Sequence, residues 1–583
     1  MLRSVALLLA LVAAPVCAQQ RSLNDFFREF TDEWMRGNPN QAAATRYFTG
    51  AEQTAFEREL TPETRAWRQG RVKLAKKGLA ELARYDRSKM THGERISADL
   101  MKWQLSSLAE GEAYDDYRFP IDQFNGPNVG IVNTLTVQHP MVTPDDARNY
   151  VARLGQVRPR MEEAIAEAGR LKAKGMIPPR FILRSTLSQL EHFIGMPPAQ
   201  NPLVAVFAER MRGIEGLPAE ERESLRASAE KTVAADVYPV WKKAIALLES
   251  IVPASNDDAG LWRFKGGDKA YAYALRRFTT TKLTADEIHR IGLREVARIE
   301  GEMDKVFRSI GRTEGTIKER TQALGRDLAY PNTDEGRSAI MADIERILRD
   351  AEKRSQALFA ETPRAPVVAK PYPQFRWASA AASYSFPAPD GSRPGTFQMP
   401  LRPSQLTQFA LRSLVYHETV PGHHFQIALE MENKSLPRFR QIRAYGFISA
   451  FSEGWALYAE NLAAESGWYE GDPQGLLGAL DSQLFRARRL VVDTGIHAEH
   501  WTRERAIDYG IGPSEVERYV VFAGQACSYM LGELKIIELR DKARKAMGER
   551  YSPREFHRAV LSTGTVPLEL LEHEIDAYIA RAK

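Results

Sequence analysis

Val415 to Gln426 reads VYHETVPGHHFQ and places His417, Glu418, His423 and His424 within eight residues of a chain that has only eleven histidines. Neutral imidazoles are borderline-soft ligands for zinc, and a carboxylate next to them can take a proton from water. The common arrangement is H-E-x-x-H on one helix, where side chains four apart lie about 40° apart around the axis. Here His417 and His423 are six apart, which on an unbroken helix separates them by about 240°. His424, seven on, returns to the His417 direction but about 10 Å along the axis. Two geometries are open. Pro421 and Gly422 loop out as a two-residue bulge and deliver His423 as the second ligand, or the helix continues and His424 serves. The bulge is the preferred reading, because Pro421 lacks an N–H and clashes with the carbonyl four residues back, that of His417, while Gly422 permits a tight turn.

A third ligand is expected from a separate helix. Phe451 to Glu460, FSEGWALYAE, offers Glu453 followed by Gly454 and an apolar face at Trp455, Leu457 and Tyr458. The expected zinc set is therefore His417, His423 and Glu453, with Glu418 as general base. A tetrahedral intermediate also needs an oxyanion donor. Tyr529 in GQACSYMLG is one candidate, and His497 in RRLVVDTGIHAEHW is the other.

The elements that must position these groups read as helical. Ser22 to Trp34 has a capping serine and places Phe26, Phe27, Phe30 and Trp34 at helical spacing. Residues 61–112 and 143–250 alternate apolar stripes with charged faces, and Thr284 to Glu287, TADE, is a capping box ahead of a long amphipathic helix. Arg118 to Gly130 is turn-rich with aromatic members, and either connects helices or reaches into a cleft. Gln374 to Ser385 and Gly395 to Leu401 are the best strand candidates, separated by a turn in Pro387 to Pro394. They form either a structural hairpin or an edge to which an extended peptide adds. Pro403 and Ser404 should start the helix that delivers His417.

The first twenty residues, MLRSVALLLALVAAPVCAQQ, carry Arg3, an apolar run and a small-residue cleavage signal at Val16-Cys17-Ala18. The chain is expected to be exported to the periplasm with cleavage after Ala18; lipid anchoring at Cys17 ranks second, because Val16 is not a small residue. The net charge of +5, or +4 once Arg3 is lost, is too weak and dispersed for a nucleic-acid partner. Cleavage removes one of the two cysteines and leaves Cys527, so no intrachain disulfide forms. After residue 18 no apolar run reaches the roughly 20 residues that span a bilayer.

HETVPGHH, SEGWALYAE, RLVVDTGIH, GQACSYMLG and the earlier FTTTKLTADEIHRIGL together resemble the bacterial domain-of-unknown-function 885 family from about residue 22 onward. One departure is Ala523, where the family pattern has proline before Gly524. That family is similar in turn to the glutamate-zincins: the SEGWALYAE helix resembles the third-ligand helix of aminopeptidase N-type enzymes, and the glycine, tyrosine and glycine of GQACSYMLG resemble the pattern of thermostable carboxypeptidases and, more loosely, that of thimet-type oligopeptidases. The resemblance implies a mainly α-helical zincin-like fold, with a deep cleft and a short β edge near the metal helix. Residues 1–18 would be the signal peptide, 19–370 a helical lobe and cleft wall, and 371–583 the zinc lobe. It further implies a Zn2+ peptidase acting on short peptides. A zinc hydrolase of a non-peptide amide or ester is the first alternative, and a periplasmic binding protein with a degenerate motif the second.

Overall fold

The computed structural model describes residues 21–582 apart from 373, 375–376, 378–380, 389–390, 392 and 403–405. The leader with Cys17 and the expected helix start at Pro403 and Ser404 lie outside the described residues. The fold is mainly α-helical. Local chemistry accounts for the helix starts: the Ser22 hydroxyl accepts from the Asp25 N–H at the head of Leu23–Arg36, and Thr284 and Glu287 exchange hydrogen bonds at the head of Ala285–Ser309. Arg118 to Gly130 is a loop only in part, since a short helix covers Pro127–Asn133.

Among the described residues, strand is confined to one small sheet of order β1-β3-β2, with β1 at Val367–Pro371, β2 at Ser383–Ser385 and β3 at Gly395–Met399. β1 runs parallel to β3 and β2 antiparallel to it. Of the strand expected at Gln374 to Ser385, Ser383–Ser385 pairs with β3, while residues 375–376 and 378–380 lie outside the described residues; strand alternation misses β1 because its Lys370-Pro371 end reads as a breaker.

Helices from distant parts of the chain share one core. Phe27 of the first helix packs its ring 5.3 Å from that of Phe439, and the Trp34 indole N–H donates to the Ala444 carbonyl at 2.9 Å. A second apolar cluster fills the helices between residues 121 and 251, around Tyr150, Phe207 and Trp241. Among the described residues, no single helix is long and apolar enough to cross a membrane.

The crossing that matters most for the site joins Ser449–Glu465, which bears Glu453, to Ser528–Met547, which bears Tyr529. A Cβ on Gly532 would stand 2.0 Å from the Ala450 carbonyl oxygen and 2.7 Å from the Gly454 Cα, and one on Gly454 would stand 2.5 Å from Gly532. The two backbones touch because neither position has a side chain. Gly532→Ala should push the helices apart and cost at least about 1–3 kcal/mol of stability, the usual range for overpacking, in a denaturant titration; an unchanged midpoint would show that the crossing has slack.

Candidate metal centre

The His417 helix, Gln408–Glu418, stops at Glu418, and a new helix, His423–Glu432, begins after four non-helical residues. Pro421 cannot supply the next helical N–H. Its freed carbonyl instead accepts from the Trp455 indole at 2.9 Å, which fastens the break to the Glu453 helix. Gly422 is obligatory in a steric sense: a Cβ there would lie 2.0 Å from the His417 carbonyl oxygen and 2.3 Å from that of Tyr416. The interruption is thus longer than a two-residue bulge, but it turns His423 back on His417 as the bulge would. Their rings stand 4.8 Å apart and nearly perpendicular.

Glu453 meets both. Its Oε2 lies 3.7 Å from His417 Nε2 and 3.3 Å from His423 Nε2, and one ligand atom from each of the three lies within 4.8 Å of the others. A tetrahedral zinc with bonds of about 2.0–2.1 Å separates its ligand atoms by about 3.3 Å. The 3.3 Å separation equals that edge and the 3.7 Å one is slightly wider, and two histidines with one glutamate match a hydrolytic donor set with one position open. Glu418 is buried next to His417 in sequence.

His424 is not part of this group. Its Nε2–H donates to the Ala365 carbonyl at 3.0 Å, its Nδ1 accepts from the Tyr384 hydroxyl at 2.9 Å, and burial pulls its pKa down to about 4. It ties the His423 helix to β2. His497 is likewise spoken for, which corrects its reading as an oxyanion donor: Nδ1 accepts from the Leu261 N–H at 3.1 Å and Nε2 donates to the Tyr519 carbonyl at 3.0 Å. The buried ring has no free donor, and burial lowers its pKa to about 3. Tyr529 keeps a donor. Its hydroxyl oxygen is 3.4 Å from Arg518 NH2, which leaves the phenol proton available, and it lies on the helix that crosses the Glu453 helix at Gly532.

Glu460 is the residue that the sequence reading passes over, although it closes the quoted stretch and stands seven places after Glu453, on the same helix face. Its Oε1 accepts from His417 Nδ1 at 2.7 Å, and its other oxygen accepts from Ser413. That bond fixes the tautomer and leaves Nε2 facing Glu453. Burial pushes the Glu460 and Glu453 carboxyls up, but nearby positive groups outweigh it and both are lowered: Arg486 and His417 for Glu460, His423 and His417 for Glu453. Burial also pulls His417 down, yet the two glutamates raise it to about 10. The pocket therefore has a field suited to a cation. Behind it, Glu533 is held at about 8 by burial and by the charge of Glu460.

A second buried carboxyl shapes the Tyr529 turn. Asp493 accepts from the Tyr271 hydroxyl at 2.6 Å and from the Gly524 N–H at 3.0 Å, and Gly524 needs its φ of 78° to begin the turn. A cavity of about 700 Å3 lies beside this turn. Arg118 and Phe119 of the 118–130 loop, Phe447, Phe522 and Ala523 are among its walls, and none of His417, His423 or Glu453 lines it.

Bacterial proteins of unknown function grouped as DUF885 match this chain over residues 43–575. The chain belongs to that family. A solved structure, "the putative lipoprotein" from Colwellia psychrerythraea, superposes with a TM-score of 0.89 at 30% identity, covering 96% of this chain and 99% of that one. A "putative lipoprotein of unknown function" from Shewanella oneidensis shares the fold, with a TM-score of 0.68 at 18% identity over 95% and 99% of the two chains. No curated protein matches the sequence.

Two measurements probe the site. Glu460→Gln should weaken zinc binding by about 10–100-fold, the usual effect of losing such a partner, when titrated against a competing chelator; undiminished affinity would deny Glu460 its orienting role. Asp493 offers a pH test. Burial raises its folded pKa from the ordinary carboxylate range to about 7, so the folded state binds the extra proton and stability falls as pH rises through that window. Asp493→Asn removes this pH dependence. It should gain on the parent between pH 4 and 7, by up to about 1.4 kcal/mol per pH unit, and hold level above; a constant gap across pH would refute the assignment.

Proposed function

We propose that this protein is an exported zinc-dependent hydrolase of amide bonds, most simply a peptidase acting on short peptides, with His417, His423 and Glu453 as the metal ligands. The observation that carries the reading is the convergence of these three side chains from two helices at spacings that suit a tetrahedral ion. The His2Glu set, with its glutamate on a later helix, is the arrangement of the glutamate-zincins, which supports placing the chemistry beside theirs. That both structural neighbours are described as lipoproteins supports export, and keeps a lipid anchor at Cys17 as the alternative to free release.

When bound, zinc polarises a carbonyl and lowers the pKa of water to about 7. The protein's own groups then divide the proton work. Glu418, beside the first ligand, takes a proton from the attacking water as the new C–O bond forms. Tyr529 donates its hydroxyl proton as a hydrogen bond to the carbonyl oxygen as charge builds there, and Arg518 against the phenol oxygen favours that donation. Glu418 returns the proton to the departing nitrogen as the C–N bond breaks. His417 does not titrate in this scheme, because Glu460 holds its Nδ1–H.

Glu418→Gln separates binding from chemistry. The variant should retain about one zinc per chain by elemental analysis and lose hydrolysis of a peptide library by a factor on the order of 10²–10⁴, the usual worth of a general base. Full turnover in the variant would sink the mechanism, and a parent protein that takes up no zinc after reconstitution would sink the reading.

A further inference from the structure

The cavity beside the Tyr529 turn gathers groups that the proposed chemistry does not use. The helices Leu23–Arg36 and Arg65–Leu82 and the 118–130 loop contribute to its walls. Its volume of about 700 Å3 falls within the range of about 300–1,000 Å3 usual for small-molecule sites. Arg71 stands in the wall and is only 8% exposed, yet among the described residues no carboxylate lies within ion-pair distance of it. Burial lowers its pKa to about 10, and the group that opposes the shift is the Tyr445 phenol. NH1 donates to the Trp34 carbonyl at 2.7 Å, and the guanidinium carbon lies 3.6 Å from the Trp34 ring centre. Nε and NH2 have no hydrogen-bond partner among the described residues, and neither is sealed from solvent. That edge of the guanidinium is open to the cavity. A buried cation without a counter-charge is costly, and an anion that enters removes the cost.

The acids in the walls do not meet this need. Glu112, Asp115 and Asp116 pair with Lys76, Arg68 and Arg170, and Asp122 accepts from the N–H groups of Phe124 and Asn125. A second wall arginine, Arg263, donates to the carbonyls of Ala259 and Gly260 and stands 4.3 Å from the Phe264 ring centre, again with no carboxylate in reach among the described residues. Much of the remaining surface is aromatic. Tyr273 donates its hydroxyl to the Ser107 carbonyl at 2.9 Å and stacks on Tyr114 at 4.9 Å, while the Tyr445 hydroxyl is bonded to Thr31 at 2.6 Å. With their hydroxyls engaged, these rings offer apolar faces. Phe447, 51% exposed, forms the solvent end of the wall.

We propose that this cavity binds a small aromatic carboxylic acid, with the carboxylate forked onto Arg71 Nε and NH2 and the ring against the aromatic walls. The site is separate from the metal centre, since none of His417, His423 and Glu453 lines it, and binding there needs neither zinc nor turnover. Two nitrogens on one guanidinium edge match the two oxygens of a carboxylate. A carboxamide has no charge and a single acceptor oxygen, so it is the diagnostic contrast.

The test is calorimetry on the intact protein with naphthylacetate, naphthylacetamide and acetate, with zinc added and again after chelation. Naphthylacetate should bind about tenfold or more tighter than the amide, the worth of one charge-assisted hydrogen bond, and acetate, which lacks the ring, should bind far more weakly. Arg71→Met should bring acid and amide level, and Arg71→Lys, which keeps the charge but not the fork, should give an intermediate ratio. Phe447→Ala, at an exposed position, should leave thermal unfolding unchanged and weaken acid and amide alike. Equal affinity for acid and amide in the parent, acetate binding as tightly as naphthylacetate, or no binding of the acid overturns the proposal, as does an acid preference that survives Arg71→Met. Where Arg71→Met does not fold, Arg71→Lys and Phe447→Ala decide, and unaltered affinities in both overturn it. Binding that disappears on chelation places the acid on the metal and overturns it too.

Discussion

Two imidazoles six residues apart can face one point only where the helix between them is interrupted, and the rest of the site depends on that interruption. Thr419 to Gly422 supply it, and Trp455 secures it by taking the Pro421 carbonyl. The indole belongs to the helix that presents Glu453, so the latch that stabilises the break also sets the distance of the third ligand. On the far side of that helix the glycine pair Gly454 and Gly532 brings the Tyr529 helix to backbone contact. Histidines, glutamate and tyrosine are therefore held by one chain of steric contacts.

Charge is handled as economically as space. Glu453 and Glu460 project from one helix to the two nitrogens of a single imidazole, His417, and both carboxylates are stabilised by cationic neighbours. The histidines outside the group are neutralised differently: His424 and His497 are buried with both nitrogens bonded, and each is pushed toward the uncharged form. His417 on one side and His424 and His497 on the other, all buried, thus sort into two kinds according to whether their partners are carboxylates or backbone and hydroxyl groups.

The sequence displayed the helical character of the chain, the capping boxes and the grouping of His417, His423 and Glu453, because each rests on short-range spacing or on side-chain chemistry that few other positions offer. It did not display Glu460, since a glutamate in a helix gives no sign of whether water or an imidazole lies opposite. His497 misled for the converse reason: its backbone partners Leu261 and Tyr519 lie far from it along the chain. β1 escaped notice because its pairing with β3 is parallel and non-local.

The bond from Trp34 to Ala444 closes a loop of 410 residues. At a synthesis rate of about 5–20 residues per second, the first helix waits about 20–80 seconds for its partner. Throughout that interval Phe27 and Trp34 lack the partners they meet at Phe439 and Tyr445, although Tyr85 beside Phe26 and Arg71 over Trp34 arrive early. Contacts of such long range also slow folding once the chain is complete, so the part of the aromatic stripe that faces residues 439–445 is the last to be covered.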